Sequence, residues 1–217
     1  MTYSPERRVA EFFVSAKMEK ELCFVSFLKL SKGWMMMGNA SVPTLETERL
    51  LLRKITMEDA YDMFAYCSDE EVAKYVTWNA HKNIEDTETF IASILENYQD
   101  HKPAPWGIVL KENNRLIGTV GFTSMNPIHH SAEIGFALSR NNWGKGIMTE
   151  AVKEIIKYGF ETLHLNRIQA MCFKDNIASE RVMIKSGMSY EGLHRQKIFN
   201  NGRYIDVKLY SILKEEY

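Results

Sequence analysis

One stretch decides the fold of this chain: Glu133-Ile134-Gly135-Phe136-Ala137-Leu138-Ser139-Arg140-Asn141-Asn142-Trp143-Gly144-Lys145-Gly146-Ile147. An apolar strand here runs directly into a glycine-containing turn, and the turn begins a helix. The first four N–H groups of a helix have no partner inside it, and the helix dipole adds about half a positive charge at that end. A helix that begins in this way attracts an anion. The stretch therefore predicts a pyrophosphate-binding turn.

The charges around the turn support this interpretation. Gly144 and Gly146 let the backbone approach an anion closely. Lys145 lies at the positive end of the helix, where a cation is unfavourable unless something negative binds, and the first acidic residue is Glu150. An ordinary glycine-containing helix start with a solvated lysine is the alternative, and the Gly-x-Gly pattern alone does not exclude it.

Two other phosphate-binding motifs are absent from the stretch. It lacks Gly-x-x-x-x-Gly-Lys-Ser/Thr, and no Gly-x-Gly-x-x-Gly with an acidic residue about 20 positions later follows it. Nucleoside triphosphatases and dinucleotide-dependent enzymes are therefore disfavoured.

The composition is that of one globular domain with an appendage. Of the 217 residues, 45% are apolar and 25% are charged, and the formal net charge of -1 gives no overall basic surface for nucleic acid. The three cysteines, Cys23, Cys67 and Cys172, are odd in number and lack metal-ligand spacing. We therefore expect no disulfide framework, no metal site and a cytoplasmic location. The apolar runs are too short to predict a membrane span.

Residues 1–43 differ in pattern from the rest of the chain. They combine mixed charge with one amphipathic stretch, and they lack the small-residue cleavage site of a signal peptide. Met36 and Met37 are possible internal start positions. We expect an N-terminal extension at 1–43, which is a flexible arm, a docking helix or an artefact of the assigned start, followed by one domain at 44–217.

From Thr44 onward, strand and helix patterns alternate. The periodicity predicts an α/β domain, of the α+β type, around a mixed sheet. Thr56 is expected to begin the first helix, Gly187 to end the last, and Asn200-Asn201-Gly202 to turn the closing hairpin. The predicted strands are 50–55, 106–110, 115–122, 132–138, 168–172, 190–199 and 204–213, and the further predicted helices are 69–76, 84–98, the segment after Gly146, and 177–186.

With the elements in this order, the chain from about Thr44 to Leu213 resembles the GNAT superfamily of acyl-CoA-dependent N-acetyltransferases. The likeness is closer to the RimJ/RimL group, which acetylates protein N-termini including those of ribosomal proteins. The resemblance implies a central twisted mixed sheet flanked by helices, with acetyl-CoA as cosubstrate. The matching stretches are Leu45-Glu46-Thr47-Glu48-Arg49-Leu50-Leu51-Leu52-Arg53, Ile117-Gly118-Thr119-Val120-Gly121, Glu133-Ile134-Gly135-Phe136, Trp143-Gly144-Lys145-Gly146, Asn176 with Ser179, Gly187, Glu191-Gly192, and Gly202 with Asp206 and Tyr210.

The resemblance also implies how acetyl-CoA binds. Backbone N–H groups of the turn would hold the pyrophosphate, and exposed backbone on the preceding strand would pair with the pantetheine arm. Asn141 stands where the superfamily often has Gln or Arg, so a side-chain contact is lost while the backbone cradle remains. Asn176 resembles a pantetheine contact, and it could also cap the following helix. The implied cofactor-binding residues are Phe136, Ala137, Leu138, Asn141, Trp143, Gly144, Lys145, Gly146, Ile147, Met148 and Asn176.

Acyl transfer to an amine requires a neutral nucleophile, a stabilised oxyanion and a proton for the leaving thiolate. At pH 7 roughly a tenth of α-amines are neutral, against under about 0.1% of lysine side chains, so an N-terminal acceptor needs only a mild base. Glu133 is the expected base, directly or through water, because related enzymes carry a working glutamate at the matching strand position. The alternative is a structural carboxylate bound to neighbouring backbone or an arginine.

The other two requirements have candidates as well. Ser179 resembles the group's proton donor to the CoA thiolate, and the alternative is an ordinary serine in the first turn of a helix. A backbone N–H near Phe136 or Ala137 would contact the oxyanion. Some relatives place a second acidic residue where this chain has Arg195-Gln196-Lys197-Ile198, so a two-carboxylate mechanism does not carry over.

His129 and His130 are alternative bases, although an exposed turn is the expected place for them. Cys172 is expected to be a buried structural thiol, so the transfer is direct and forms no acyl-enzyme. Three aromatic residues either line the acceptor pocket or fill the core: Tyr75, Trp78 and Trp106.

The sequence favours an N-acetyltransferase that transfers the acetyl group of acetyl-CoA to a protein or peptide N-terminal α-amine. One alternative acceptor is a small amine, such as a polyamine, amino acid or antibiotic, and a narrow acidic pocket would favour a polycation. An alternative of another class is a CoA-binding module without turnover. We expect acetyl-CoA and an amine acceptor as partners, neither nucleic acid nor membrane, and a monomer or homodimer.

Overall fold

The computed structural model describes residues 42–217. The predicted extension at 1–43 lies outside the described residues except for Val42 and Pro43. Val42 is buried, and the Pro43 carbonyl accepts a hydrogen bond from Trp106 Nε1 at 2.7 Å. The described chain therefore begins in contact with the core.

The described chain has eight strands and five helices. The strands are β1 (Leu45–Glu46), β2 (Leu50–Arg53), β3 (Pro105–Leu110), β4 (Arg115–Asn126), β5 (Ser131–Leu138), β6 (Arg167–Phe173), β7 (Ser189–Asn200) and β8 (Arg203–Leu213). The helices are α1 (Ala60–Cys67), α2 (Glu70–Ala73), α3 (Ile84–Gln99), α4 (Ile147–Glu161) and α5 (Ile177–Lys185), with 3-10 turns at Met57–Asp59, Arg140–Asn142 and Lys214–Glu216.

All eight strands form one sheet in the order β1-β2-β3-β4-β5-β6-β8-β7. The pair β5 and β6 is parallel, and every other neighbouring pair of described strands is antiparallel. The connection from β5 to β6 passes through α4, because parallel strands need a crossover. The predicted mixed sheet is confirmed. Residues 133–147 form most of β5, the turn after it and the start of α4, and so make up the first half of the parallel β5-α4-β6 unit.

Helix α4 covers one face of this sheet. Val152 and Ile156 follow each other at helical spacing and are fully buried. Gly159 lies so close to the sheet that a Cβ there would be 2.7 Å from Ile168 Cδ1 of β6. A larger residue here would require the Ile168 side chain to shift within the core, so glycine allows the close approach of α4 to β6.

Helices α1 and α3 cover the opposite face. Met63 of α1 and Ile91 of α3 lie in a buried cluster with Val109 of β3, and Ala137 of β5 packs against it. Side chains alternate along a strand, so Glu133 projects to the same face as Ala137.

The structure corrects several predicted boundaries. The helix predicted at 69–76 is confined to α2, because the chain turns after Ala73 and packs Tyr75 on Phe173 of β6, with ring centroids 6.4 Å apart. Strand β4 runs past residue 122 to Asn126, because it resumes pairing with β5 after a β-bulge. The helix expected after Thr56 begins with a 3-10 turn. Strand β1 was not predicted, because its two residues are too few to show the alternation of apolar and polar side chains that is typical of a strand.

Candidate active site

The parallel strands β5 and β6 separate part-way along their length. They pair over four residues, from Ser131 with Arg167 to Ile134 with Ala170. Beyond this point, residues 135–138 pair with β4 alone and residues 171–173 pair with β8 alone. We call the gap between these two segments the sheet opening. Along it, one backbone edge of β5 has no strand partner among residues 42–217.

The glycine turn, residues 143–146, follows β5 at the wide end of the sheet opening. Gly144 and Gly146 both have left-handed backbone, with φ of +74° and +75°. Residues with a side chain are strained in this conformation. Gly146 directly precedes α4 and has no side chain that could cap the helix. Among the described residues, a Cβ on Gly144 would meet no atom within 4 Å, so the space at the turn is open.

Neighbouring side chains hold the glycine turn in place. Trp143 Nε1 donates a hydrogen bond to the Leu138 carbonyl at 2.8 Å, which ties the turn to the end of β5. Ile147 and Met148 are buried in the first turn of α4, whereas Asn141 and Lys145 are exposed. The structure thus groups most of the predicted cofactor residues at one end of the sheet opening: Phe136, Ala137, Leu138, Asn141, Trp143, Gly144, Lys145, Gly146, Ile147 and Met148.

The bend between β1 and β2, residues 47–49, also holds the glycine turn. Arg49 Nη1 donates to the Lys145 carbonyl at 3.0 Å, and Arg49 Nε donates to Glu150 Oε2 at 2.7 Å. Burial opposes ionisation of Glu150, but hydrogen bonds from Thr47 and Arg49 outweigh it and lower the pKa of this carboxyl. Thr47 and Arg49 stand in a stretch that resembles the family. Their contact with Glu150, 101 residues after Arg49, is not visible in the sequence.

Asn176 and Ser179 lie across the sheet opening from the glycine turn. Since β5 and β6 are parallel, their carboxyl ends lie at the same edge of the sheet, and α5 begins there after β6. Asn176 Oδ1 accepts a hydrogen bond from the Ser179 backbone N–H at 3.1 Å, so Asn176 does cap α5. The Ser179 side chain is half-buried.

Charged residues fix α5 to the sheet. Lys208 Nζ lies 2.8 Å from both carboxylate oxygens of Glu180, and Tyr210 Oη donates to Glu180 Oε1 at 2.6 Å. These bonds, first that from Lys208 and then that from Tyr210, lower the pKa of Glu180. The start of α5, with Asn176 and Ser179, is held against the edge of the opening by this cluster.

Glu133 lies at the closed end of the sheet opening, one residue before β5 and β6 stop pairing. Its partner in register is Gln169, whose Nε2 donates to Glu133 Oε2 at 2.9 Å. The Glu133 side chain is half-buried and projects to the face of α1 and α3. The side chain that holds this carboxylate is therefore a neutral amide and not an arginine.

An ion pair lies next to Gln169. Arg167 donates to both carboxylate oxygens of Glu191 at 2.6 Å, and Ser211 Oγ donates to Glu191 Oε1 at 2.7 Å. These hydrogen bonds, first from Arg167 and then from Ser211, lower the pKa of Glu191 to about 2. The sequence predicted neither the pair nor the contact with Gln169, and the Glu191-Gly192 dipeptide marks only one of the two partners.

The alternative bases lie elsewhere. His129 and His130 are exposed in the turn between β4 and β5, at the end of β5 that points away from the glycine turn. Cys172 is buried on β6, and burial raises the pKa of its thiol to about 11, which suits a structural residue. Residues 42–217 contain no group of three or more His, Cys, Asp or Glu side chains placed to hold a metal ion, and no helix long and apolar enough to cross a membrane.

The three aromatic candidates divide between the core and the opening. Trp106 is 3% exposed and belongs to the core, as its bond to Pro43 also indicates. Trp78 packs against the cluster of α1 and α3. Tyr75 contacts Phe173 at the end of β6 and so borders the sheet opening.

Comparison with known protein families identifies the family of this chain. The acetyltransferase (GNAT) domain matches residues 49–189, which includes β5, the glycine turn, α4 and the start of α5. This chain belongs to the GNAT acetyltransferase family. The GNAT fold and the predicted resemblance are confirmed, and the chain is an acetyl-CoA-dependent N-acetyltransferase.

Relatives cover nearly the whole described domain of this GNAT enzyme. The uncharacterized N-acetyltransferase YoaA of Bacillus subtilis is 39% identical over 172 residues, which is 79% of this chain and 97% of YoaA. The crystal structure of an acetyltransferase (GNAT family) from Bacillus anthracis is 33% identical with a TM-score of 0.72, covering 80% of this chain and 99% of that chain. The structure of the microcin C7 self-immunity acetyltransferase MccE, a complex with acetyl-CoA and AMP, is 26% identical with a TM-score of 0.70, covering 77% and 93%.

Two relatives of the GNAT enzyme have named acceptors of different kinds. The ribosomal-protein-serine acetyltransferase of Escherichia coli is 34% identical over 104 residues, which is 48% of this chain and 58% of that protein. The spermidine N(1)-acetyltransferase of Vibrio cholerae is 31% identical over 124 residues, which is 57% of this chain and 72% of that protein. Because these two relatives acetylate acceptors of different kinds, their names do not determine the acceptor of this enzyme.

Proposed function

We propose that this enzyme acetylates the N-terminal α-amine of a protein or peptide, with Glu133 as the base and Ser179 as the proton donor to the CoA thiolate. The observation that carries the proposal is the position of Glu133 at the closed end of the sheet opening, where its side chain is half-buried. A carboxylate there lies beside the strand segment that would carry the thioester.

Acetyl-CoA is proposed to bind along the sheet opening. Its pyrophosphate would accept hydrogen bonds from the uncapped N–H groups of residues 144–148, where the helix dipole favours an anion. The pantetheine arm would pair with the free backbone edge of residues 136–138, as an added strand does. Asn176 already caps α5 through Oδ1, so its Nδ2 is the group available to pantetheine. The cosubstrate supplies the activated acetyl group, and these residues orient it.

The residues then divide the chemistry between them. Glu133 takes a proton from the ammonium form of the amine, directly or through one water, and the neutral amine attacks the thioester carbonyl. A backbone N–H near Phe136 or Ala137 stabilises the oxyanion. The C–S bond breaks and Ser179 gives its proton to the leaving thiolate. The second proton, which the acylated nitrogen loses as the amide forms, restores the serine hydroxyl through solvent. The transfer is direct, since Cys172 is buried and its raised thiol pKa, about 11, disfavours the thiolate at neutral pH.

The hairpin of β7 and β8 borders the acceptor side of the opening. At its tip, Asn200 Nδ2 donates to the Val76 carbonyl at 3.1 Å. Val76 adjoins Tyr75, which packs on Phe173 at the end of β6. The hairpin and the segment after α2 therefore meet beside the opening, where an acceptor would approach.

The charge of this hairpin favours a peptide over a polyamine. Arg195, Lys197 and Arg203 are exposed, and none of the ion pairs within the described part of the chain involves them. Like charges repel, so these cations disfavour a polycation such as spermidine. Cys67 and Cys172 are both free thiols, which agrees with the reducing cytoplasm as the proposed location.

The acceptor is tested by CoA release with matched amines. The acceptors are one peptide with a free Ser N-terminus, the same peptide with a blocked N-terminus and an internal lysine, spermidine and an aminoglycoside. We expect turnover on the free N-terminus and little on the other three, with mass spectrometry placing the acetyl group on the α-amine. Turnover on spermidine alone would contradict the proposal in favour of the small-amine enzyme. Tight acetyl-CoA binding with no turnover on any acceptor would also contradict it.

A further inference from the structure

We infer that Gln169 is a positioning residue for Glu133, and that the Arg167–Glu191 ion pair holds Gln169 in the required orientation. This inference rests on the proposed role of Glu133 as the base. It adds three residues to the machinery that neither the family match nor the sequence pattern assigns. We call the connected side chains the Glu133 network: Glu133, Gln169, Arg167, Glu191 and Ser211.

The hydrogen bonds of the Gln169 amide determine its orientation. Its Oε1 accepts hydrogen bonds from Arg167 Nε at 3.3 Å and Nη2 at 3.2 Å, and its Nε2 donates to Glu133 Oε2 at 2.9 Å. A flipped amide would place NH₂ against a guanidinium and an oxygen against a carboxylate, and neither pair can form a hydrogen bond. Arg167 therefore makes Gln169 a dedicated donor to Glu133.

The two carboxylate oxygens of Glu133 have different surroundings. Gln169 donates to Oε2, which restricts the orientation of the carboxylate and leaves Oε1 to accept a proton from the amine or a bridging water. A base must hold its proton acceptor within hydrogen-bond reach of the amine, and a misplacement of about 1 Å can cost up to about a hundredfold in rate. The hydrogen bond from the Gln169 amide thus supports proton transfer by restricting the rotation of the Glu133 side chain.

The charge of Arg167 is balanced within the Glu133 network. Arg167 is neutralised by two hydrogen bonds of 2.6 Å to Glu191, and Ser211 Oγ donates to the same carboxylate. A β-bulge at Glu191 turns this side chain out of the regular register of β7 toward Arg167. A cation placed directly on Glu133 would stabilise its ionised form strongly and make it a weaker base. Gln169 lies between Arg167 and Glu133, so the side chain that orients Glu133 is a neutral amide.

The test compares Gln169→Met and Arg167→Met with two control variants. Gln99→Met removes an exposed glutamine at the end of α3, and Arg115→Met removes the arginine of the Arg115–Asp62 ion pair at the start of β4. We expect kcat on the free-N-terminus peptide to fall about tenfold in Gln169→Met and severalfold in Arg167→Met, with the dissociation constant for acetyl-CoA unchanged. Both controls should keep the wild-type kcat. Arg167→Lys, which keeps one donor, should recover part of the loss.

A double-mutant cycle separates positioning from a structural effect. In the Glu133→Gln background, Gln169→Met should lower kcat no further, because the carboxylate that it positions is gone. An additive loss in that background, a loss in the controls of the same size, or a weaker acetyl-CoA affinity in Gln169→Met would each overturn the inference. If Glu133→Gln itself keeps the wild-type kcat, the proposed base is wrong. If Glu133→Gln loses activity and Gln169→Met does not, the base stands and the positioning role is wrong.

Discussion

Replacing Gly144 by alanine separates the strain of the glycine turn from its role in binding acetyl-CoA. Gly144 has φ of +74°, and Gly202 in the turn between β7 and β8 has φ of +76°. Among the described residues, a Cβ would meet no atom within 4 Å at either position, so Gly202→Ala is a matched control for the backbone strain alone.

The stability change follows from the backbone conformation. An L-residue in the left-handed region costs roughly 1–2 kcal/mol, and the loss of glycine freedom in the unfolded chain returns about 0.4–1 kcal/mol. We therefore expect each variant to lose between about zero and 1.6 kcal/mol of unfolding free energy, a fall in Tm of at most about 6 °C. Thermal unfolding without cosubstrate should show nearly equal shifts for Gly144→Ala and Gly202→Ala.

The affinity for acetyl-CoA should distinguish the two variants. At Gly144 the new methyl group enters the open space where the pyrophosphate is proposed to lie, and one lost charge-assisted hydrogen bond is worth about 1.5–3 kcal/mol. Isothermal titration should therefore give a dissociation constant about tenfold to a hundredfold higher for Gly144→Ala and an unchanged one for Gly202→Ala. Equal affinities for the two variants would refute the assignment of residues 144–148 to the pyrophosphate.

Three further predictions concern charge, thiols and packing. The pKa of Glu191 is lowered to about 2, so its ion pair with Arg167 contributes to the free energy of unfolding above about pH 4.5. This contribution disappears as the pH falls toward 2. Urea unfolding should show the gap in stability between wild type and Glu191→Gln shrinking over that range, and a constant gap would contradict it. Burial raises the thiol pKa of Cys172 to about 11 and of Cys67 to about 12, so peptide-level mass spectrometry should find both alkylated at least about a hundredfold more slowly than an exposed cysteine. Rapid labelling of Cys172 would show that the thiol is accessible. Ile155 is fully buried on α4, and Ile155→Ala should lower the unfolding free energy by about 2–5 kcal/mol in urea, whereas a loss below about 1 kcal/mol would mean that α4 repacks.

Local signals predicted the elements that position the site. The step from strand periodicity to a glycine turn and then to helical periodicity identifies β5, the turn and α4 at their observed places. The closing hairpin follows from Asn201-Gly202, because both turn residues have positive φ, which this dipeptide favours. These features depend on a few consecutive residues, so the sequence carries them directly.

Contacts between residues far apart in the chain could not be predicted from local sequence patterns. The sheet opening depends on where β5 and β6 stop pairing. Gly135 is the first residue beyond that point, but a single glycine in a strand does not predict that two strands separate. Arg49 and Glu150 are 101 residues apart, and Arg167 and Glu191 are 24 apart. Their meeting requires the assembled sheet, so a sequence alone shows these residues only as separate charges. The prediction of a helix over residues 69–76 was wrong for a similar reason, since the chain leaves the helix to pack Tyr75 on Phe173.

The central claim is that Glu133, at the closed end of the sheet opening, activates the acceptor amine. The most direct measurement is kcat for acetylation of the free-N-terminus peptide by wild type and Glu133→Gln at saturating acetyl-CoA, at neutral pH. Loss of a general base predicts a fall of about a hundredfold or more, with the dissociation constant for acetyl-CoA unchanged. Equal kcat values in the two proteins would contradict the claim and make Glu133 a structural carboxylate.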